Sequence, residues 1–301
     1  MNKRPITYNL KPKTLPPLVV IVGETASGKS ALAIKLAAQL DGEIIAADSW
    51  TVYKGFNIGT AKPIEAQRQQ IPHHLLDIAD PLDGFSAAEF KRQAAEAIEE
   101  ISERAKLPIL VGGSGLYIDS VIFDYSFLPA GKPDERKRLN RLSLPELIRH
   151  IESKKIDSNG IDMRNKRRLI RLIETAGQRP KRSSLRPNTL IIGLEMPKHE
   201  IKDHITKRVD KMMRDGLEQE VKALAKRYNW EVEPMKGIGY REFQDYFAGQ
   251  QTLEQTRQHI IHSTLQLAKK QRTWFKRNKS IQWLANSQQA SPIVQNFLSK
   301  Y

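Results

Sequence analysis

Residues 23 to 30 read GETASGKS, and the G-x-x-x-x-G-K-[ST] spacing fits one task above others, the holding of a chain of phosphates. Backbone N–H groups from Thr25 to Ser30 are expected to ring the phosphate oxygens at a helix N-terminus. Gly23, Thr25, Ala26, Ser27, Gly28, Lys29 and Ser30 are therefore the candidate phosphate-binding set, with Lys29 neutralising the anion and the Ser30 hydroxyl a ligand for Mg²⁺. A nucleotide hydrolase would add an acidic residue at the end of an apolar strand to position metal and water. The apolar stretch PILV (108 to 111) runs instead into Gly112, and LLD (75 to 77) continues as IADP. Asp48 does end a strand, but its neighbours Ser49, Trp50 and Tyr53 read as the wall of a substrate pocket. ATP hydrolysis is not the reaction this pattern serves.

The elements that must hold these residues follow from periodicity. LVVIV (18 to 22) is a buried parallel strand feeding the loop, and SALAIKLAAQL is the helix behind it, with Leu32, Leu36 and Leu40 at helical spacing. EIIAA (43 to 47) ends at Asp48, and PILV ends at GGSGLY, so polar or glycine-rich residues collect where open parallel sheets bind ligands. A Ser86/Glu89 capping box opens a helix that buries Phe90, Ala94, Ala97 and Ile101. A fourth strand, TLIIGLE (189 to 195), comes only after a long basic interval. The fold class expected is α/β: a P-loop NTPase-like core with a parallel sheet flanked by helices, an inserted small helical subdomain over 124 to 187, and a helical C-terminal part. In the insert, the helix from Met163 places Arg164, Arg168 and Arg171 on one face and Leu169, Leu172, Ile173 and Ala176 on another, closed by Gly177 and Pro180. The C-terminal third reads as helical, with Ile201, Ile205, Val209 and Met212 on one face, then VKALAKRY, and a last helix from the Thr252/Gln255 capping box to about Arg277. There Lys269, Lys270, Arg272, Lys276 and Arg277 surround Trp274 and Phe275, a pattern suited to a nucleic-acid backbone.

Charge separates these parts. The chain of 301 residues carries a net charge of +15. Residues 1 to 131 hold 13 basic and 15 acidic side chains, whereas 132 to 186 hold 17 and 7, so the surplus lies away from the phosphate loop and marks a polyanionic partner, most simply nucleic acid. Without cysteine there is no disulfide framework, zinc–thiolate site or thiol nucleophile. LVVIV is too short to span a bilayer, and MNKRPITYNLKPKTLPP has no apolar signal region; it reads as a flexible basic tail. A cytoplasmic monomer without a membrane partner is expected.

The series GETASGKS, DSWTVYKGFNIGTAKP (48 to 63), HHLLDIADPLDGFSAAEF (73 to 90), GGSGLYI (112 to 118), RVDKMMRDGLEQEV (208 to 221), GIGYRE (237 to 242) and AKKQRTWF (268 to 275) resembles the tRNA dimethylallyltransferase family from about residue 18 to 277. The resemblance implies transfer of a prenyl group from dimethylallyl diphosphate to N6 of the adenine on the 3′ side of the anticodon, in tRNAs reading codons that begin with U. The loop would then hold the diphosphate leaving group, with Mg²⁺ as cofactor, and carbon is what moves. It implies further that Asp48 accepts a hydrogen bond or proton from N6, that Ser114 (usually Thr) helps to fix the base, and that Arg208 reaches the diphosphate. Asp48, Ser49, Trp50, Thr51, Arg167, Arg168 and Arg171 would face tRNA, and His73 and His74 would be architectural. Glu24 stands where the family commonly has Pro, Trp50-Thr51 where it has Met-Gln, and Lys270 where it has Arg. Three other classes share parts of the pattern: a P-loop kinase of small metabolites, a prenyltransferase acting on free adenine nucleotides, and a non-catalytic RNA-binding protein.

Overall fold

A computed structural model describes residues 15 to 301. The tail expected over the first 17 residues lies, for residues 1 to 14, outside the described residues. Six strands, β1 (Leu18–Gly23), β2 (Gly42–Ala46), β3 (His73–His74), β4 (Leu107–Gly112), β5 (Thr189–Leu194) and β6 (Ile281–Leu284), form one parallel sheet in the order β3-β2-β4-β1-β5-β6. Val20 of β1 pairs with Leu110 on one side and Ile191 on the other. Covered on both faces, β1 is buried along its whole length, which is why its sequence is an unbroken apolar run.

Two strands escape the sequence pattern. The two-residue β3 is too short to show a period, and its partly buried histidines are held locally: His73 Nδ1 lies 2.7 Å from the Ile71 carbonyl and His74 Nε2 2.6 Å from Glu43. β6 lies at the other edge and follows the long helix Leu253–Phe275, one short strand within a C-terminal part that is otherwise helical as expected. Only Ile281 and Leu284 of its four residues are buried, as suits a strand paired on one side.

One core packs the phosphate-loop helix Lys29–Gln39 on the sheet through Leu32, Ala33, Leu36 and Ala37. A second joins the helices Lys198–Arg214, Leu217–Tyr228 and Leu253–Phe275 to the loop after β2, around the buried Phe56. Glu220 pins that loop, accepting from the backbone N–H groups of Asn57, Ile58 and Gly59 and from the Tyr240 hydroxyl at 2.8–3.1 Å. Three segments of the family pattern, FNIGT, LEQEV and GIGYRE, thus meet at one carboxylate.

Residues Phe123–Ser184 form a separate compact unit. Its helices Pro133–Arg141, Leu144–Ser153 and Lys166–Glu174 enclose Leu139, Leu147, Ile151, Leu169, Ile170, Leu172 and Ile173. Residues 185 to 187, expected with the insert, go with the sheet: Arg186 N donates to Ile122 O at 2.7 Å and its guanidinium to Pro16 O at 2.9 Å. The last helix begins at Lys166, capped by Asn165, rather than at Met163. Arg164 therefore sits in the preceding turn, its N–H donating to Asp162, and does not share a helical face with Arg168.

Candidate active site

The phosphate loop sits at the C-terminal end of β1. Gly28 enters the following helix with φ of 86°, the left-handed region open to glycine without strain. Not all of the expected amide ring faces a ligand. Thr25 N–H donates to Gln271 Oε1 at 2.7 Å and Ser27 N–H to Glu24 O at 3.2 Å. The ring therefore contracts toward the first turn of the helix, where the N–H groups of Lys29 and Ser30 have no intrahelical acceptor. Ser27 Oγ is buried without a hydrogen-bond partner in the described structure, an open donor in the loop that a phosphate oxygen would satisfy. Lys29 Nζ folds back onto Glu24 O at 3.1 Å. Burial, followed by the nearby Arg208 charge, pushes the Lys29 ammonium down to about 8, with Asp48 and Glu24 pulling the other way.

Ser30 is exposed at the helix start, and no group of three or more His, Asp or Glu side chains capable of holding a metal occurs among the described residues. One hydroxyl beside an anion site suits Mg²⁺, which keeps several waters and takes its other oxygens from substrate phosphates. Ser30 is thus the residue that would hold it.

Asp48 follows β2 with its Oδ1 accepting Trp50 N–H at 2.9 Å, which aims the carboxylate and leaves Oδ2. Two cavities meet around it. One, of about 260 Å³, is lined by Lys29, Ser30, Arg208, Gln67 and His73 together with Ile34, Ile44, Ala46, Leu76 and Val111. The other, of about 240 Å³, is lined by Trp50, Lys236, Ile238, Arg241 and Leu267 among others. Thr25, Asp48, Thr60 and Arg208 line both. Burial lowers the Arg208 guanidinium from its usual value and Asp48 offsets part of that, so the two opposite charges support each other at the junction.

The remaining expected residues divide. Thr51 lines the first cavity and Trp50 the second, while Ser49 and Ser114 line neither. Ser114 Oγ accepts from Ser49 N–H at 3.0 Å, and Ser114 N–H donates to Ala47 O at 3.3 Å, so this serine braces the backbone on either side of Asp48. Gly112 is required there, because a Cβ would lie 1.9 Å from Ala47 O. In the separate helical unit Arg167 and Arg168 are exposed. Arg171 is turned inward: its guanidinium donates to Leu128 O at 2.6 Å and Pro129 O at 2.9 Å and lies 3.4 Å from Glu174. In the C-terminal helix, Lys269, Lys270, Lys276 and Arg277 are exposed, but Arg272 pairs with Glu24 and Phe275 is buried. Both guanidiniums are thus engaged by the protein itself, with the Arg171 side chain 34% exposed and that of Arg272 17%.

Gln271 escaped the sequence reading, although a signal was there. It lies on the helix stripe of Ile260, Ile261, Thr264, Ala268 and Phe275, and an amide on a buried stripe requires partners for its polar atoms. Glu220, Thr60 and Arg241 carried no comparable mark.

A family model described as IPP transferase matches residues 51–278. The tRNA dimethylallyltransferase of Anoxybacillus flavithermus is 41% identical over 279 residues, spanning 88% of this chain and 89% of its own length. That of Bacillus cytotoxicus is 39% identical over 281 residues with the same coverage. Among solved structures, the full-length tRNA isopentenylpyrophosphate transferase of Bacillus halodurans superposes with a TM-score of 0.72 at 36% identity, over 94% of this chain and 96% of its own. A eukaryotic dimethylallyltransferase captured acting on tRNA superposes at 0.77 with 26% identity, over 95% of this chain and 80% of its own. With the phosphate loop, Asp48 and Arg208 gathered at one point of a parallel sheet, and with relatives of this identity and coverage, the chain belongs to the IPP transferase family of tRNA dimethylallyltransferases.

Proposed function

We propose that this chain transfers a dimethylallyl group from dimethylallyl diphosphate to tRNA, at N6 of the adenine on the 3′ side of the anticodon, in tRNAs reading codons that begin with U. The observation that carries the reading is the pair of cavities that share Asp48 and Arg208: one lined by Lys29 and Ser30 together with Ile34, Ile44, Leu76 and Val111, the other by Trp50, Lys236 and Arg241. The first suits a short hydrocarbon ending in a diphosphate, the second a purine.

In the reaction the C–O bond to diphosphate breaks as the bond from N6 to carbon forms. The leaving oxygen takes the electron pair, and Lys29, Arg208 and the first-turn amides stabilise it. Ser30 would hold Mg²⁺, which would supply further countercharge to the diphosphate. An aromatic amine is a poor nucleophile until its proton can go, and Asp48 Oδ2 is positioned by the Trp50 contact to accept it. The apolar wall of Ile34, Ile44, Leu76 and Val111 keeps water from the electron-poor carbon. The target base must leave its stack to reach a site at the strand ends. The exposed Arg168, within the basic unit 123–184, supplies one of the contacts to the RNA backbone. The enzyme acts as a monomer in the cytoplasm in this reading; no helix of the described residues is long and apolar enough to cross a membrane.

The test is labelled dimethylallyl diphosphate incubated with bulk tRNA, with AMP and with neither, beside an ATP-hydrolysis control. Label in tRNA alone is expected. Label in AMP, or ATP cleavage without label transfer, would replace this reading with a nucleotide prenyltransferase or a kinase-like enzyme.

A further inference from the structure

We propose that Arg272 and Gln271, neighbours on the C-terminal helix, are positioning residues that set the phosphate loop in its anion-binding shape, and that Arg272 does so by taking the Glu24 carboxylate out of the anion's field. The proposal rests on the reading of the loop as the diphosphate site.

Glu24 is the second residue of the loop and only 5% exposed. A carboxylate at that point would repel a diphosphate held by the same backbone. Arg272 meets it with a two-pronged contact, Nε to Oε1 and Nη2 to Oε2, the latter at 2.9 Å. With both oxygens engaged, Glu24 is unavailable as a metal ligand or a base. Its main chain is equally committed, since the same carbonyl accepts from Lys29 Nζ and Ser27 N–H. A shift of the Glu24 backbone would therefore displace the group against which Lys29 rests.

Gln271 secures the next peptide. Its Oε1 accepts Thr25 N–H at 2.7 Å and its Nε2 donates to Gly113 O at 3.1 Å, so one amide clasps the loop after β1 to the loop after β4. The fit is tight, because a Cβ on Gly113 would lie 2.3 Å from Gln271 Nε2. Both clasps come from a 23-residue helix fixed by a Thr252 capping box and by core residues from Ile260 to Phe275. A buried ion pair such as Glu24–Arg272 adds little to stability by itself, yet removing one partner leaves a buried charge that acts on its surroundings. Here the surroundings are the anion site.

The experiment uses the full chain, inorganic diphosphate with Mg²⁺ in a calorimeter, and steady-state kinetics with donor and tRNA. Arg272→Met leaves the Glu24 charge unpaired and should weaken diphosphate binding about 5- to 100-fold, the usual span of coupling between linked sites. It should raise KM for the prenyl donor far more than it lowers kcat, with tRNA affinity unchanged. The double variant Glu24→Gln/Arg272→Met, which removes both charges and so avoids a buried unpaired one should the single variant fold poorly, should recover most of the affinity. A double variant as weak as, or weaker than, Arg272→Met, or an Arg272→Met that binds diphosphate like the parent, would overturn the proposal. Parent protein that binds no diphosphate would instead overturn the reading of the loop, and this proposal with it.

Discussion

The sheet unit and the helical unit 123–184 both carry arginines that the sequence marks for function, yet they use them differently. At the sheet, Arg208 lines both cavities at Asp48 and a third beside them, and Arg272 is locked to Glu24, so position along a motif decides what each cation meets. In the helical unit the signal is a surplus of charge, and that surplus mixes two populations. Arg168 is exposed, whereas Arg136 and Arg171 converge on Glu174, whose side chain is fully buried. A motif with fixed spacing identifies residues; a charge surplus identifies a partner and leaves the residues open.

The sharpest way to break the comparison is at Asp48. Asp48→Asn keeps an oxygen for Trp50 N–H but cannot take a proton, so turnover should fall on the order of 10²–10⁴-fold while donor and tRNA binding stay near normal. Weakened donor affinity with turnover intact would make Asp48 an architectural or metal-orienting group.

Lys29 offers a test by pH. Burial and Arg208 push its ammonium down to about 8, and a bound diphosphate favours the charged form, raising that value again. Below pH 8 the lysine is already protonated and diphosphate affinity should be flat with respect to this group. Above pH 8 affinity should fall by up to about tenfold per pH unit, and binding at pH 8.5 to 9 should take up protons. Calorimetry in buffers of different ionisation enthalpy reads that uptake directly. Lys29→Ala should lower both donor affinity and turnover and abolish the pH effect; uptake that persists in this variant would assign the titration elsewhere.

Smaller effects separate the two arginine populations of the insert. Arg171→Ala removes donors from the Leu128 and Pro129 carbonyls and one partner from Glu174, and should lower the stability of that unit by about 1–2 kcal/mol in a urea melt of the full chain. Arg168→Glu should leave the melt unchanged. It should instead weaken tRNA binding and reduce the log–log salt slope by about 0.7–0.9, the contribution of one phosphate contact. If the two variants exchanged phenotypes, the division between inward and outward arginines would fail.

Most of the sheet was legible because β1, β2, β4 and β5 are buried runs that each end in polar or glycine-rich residues. β3 and β6 were not, one being two residues long and the other a half-exposed edge strand after a helix. The loop residues and Asp48 were legible by spacing. What holds them was not: Glu220 meets residues 57 to 59, and Arg272 meets Glu24, across intervals of 161 to 248 residues that no local pattern records. Glu24 was noticeable as a departure, but its charge gained a meaning only when Arg272 was found against it.

The contact from Thr25 N–H to Gln271 spans 246 residues, and its consequence concerns the order in which the molecule is made. Ribosomes deliver the phosphate loop well before its clasp. A nascent chain can form the strand and the turn early, yet it has no Gln271 or Arg272 to set them until the helix Leu253–Phe275 has emerged. A chain that stopped before residue 271 would carry an intact GETASGKS without the partners that set it.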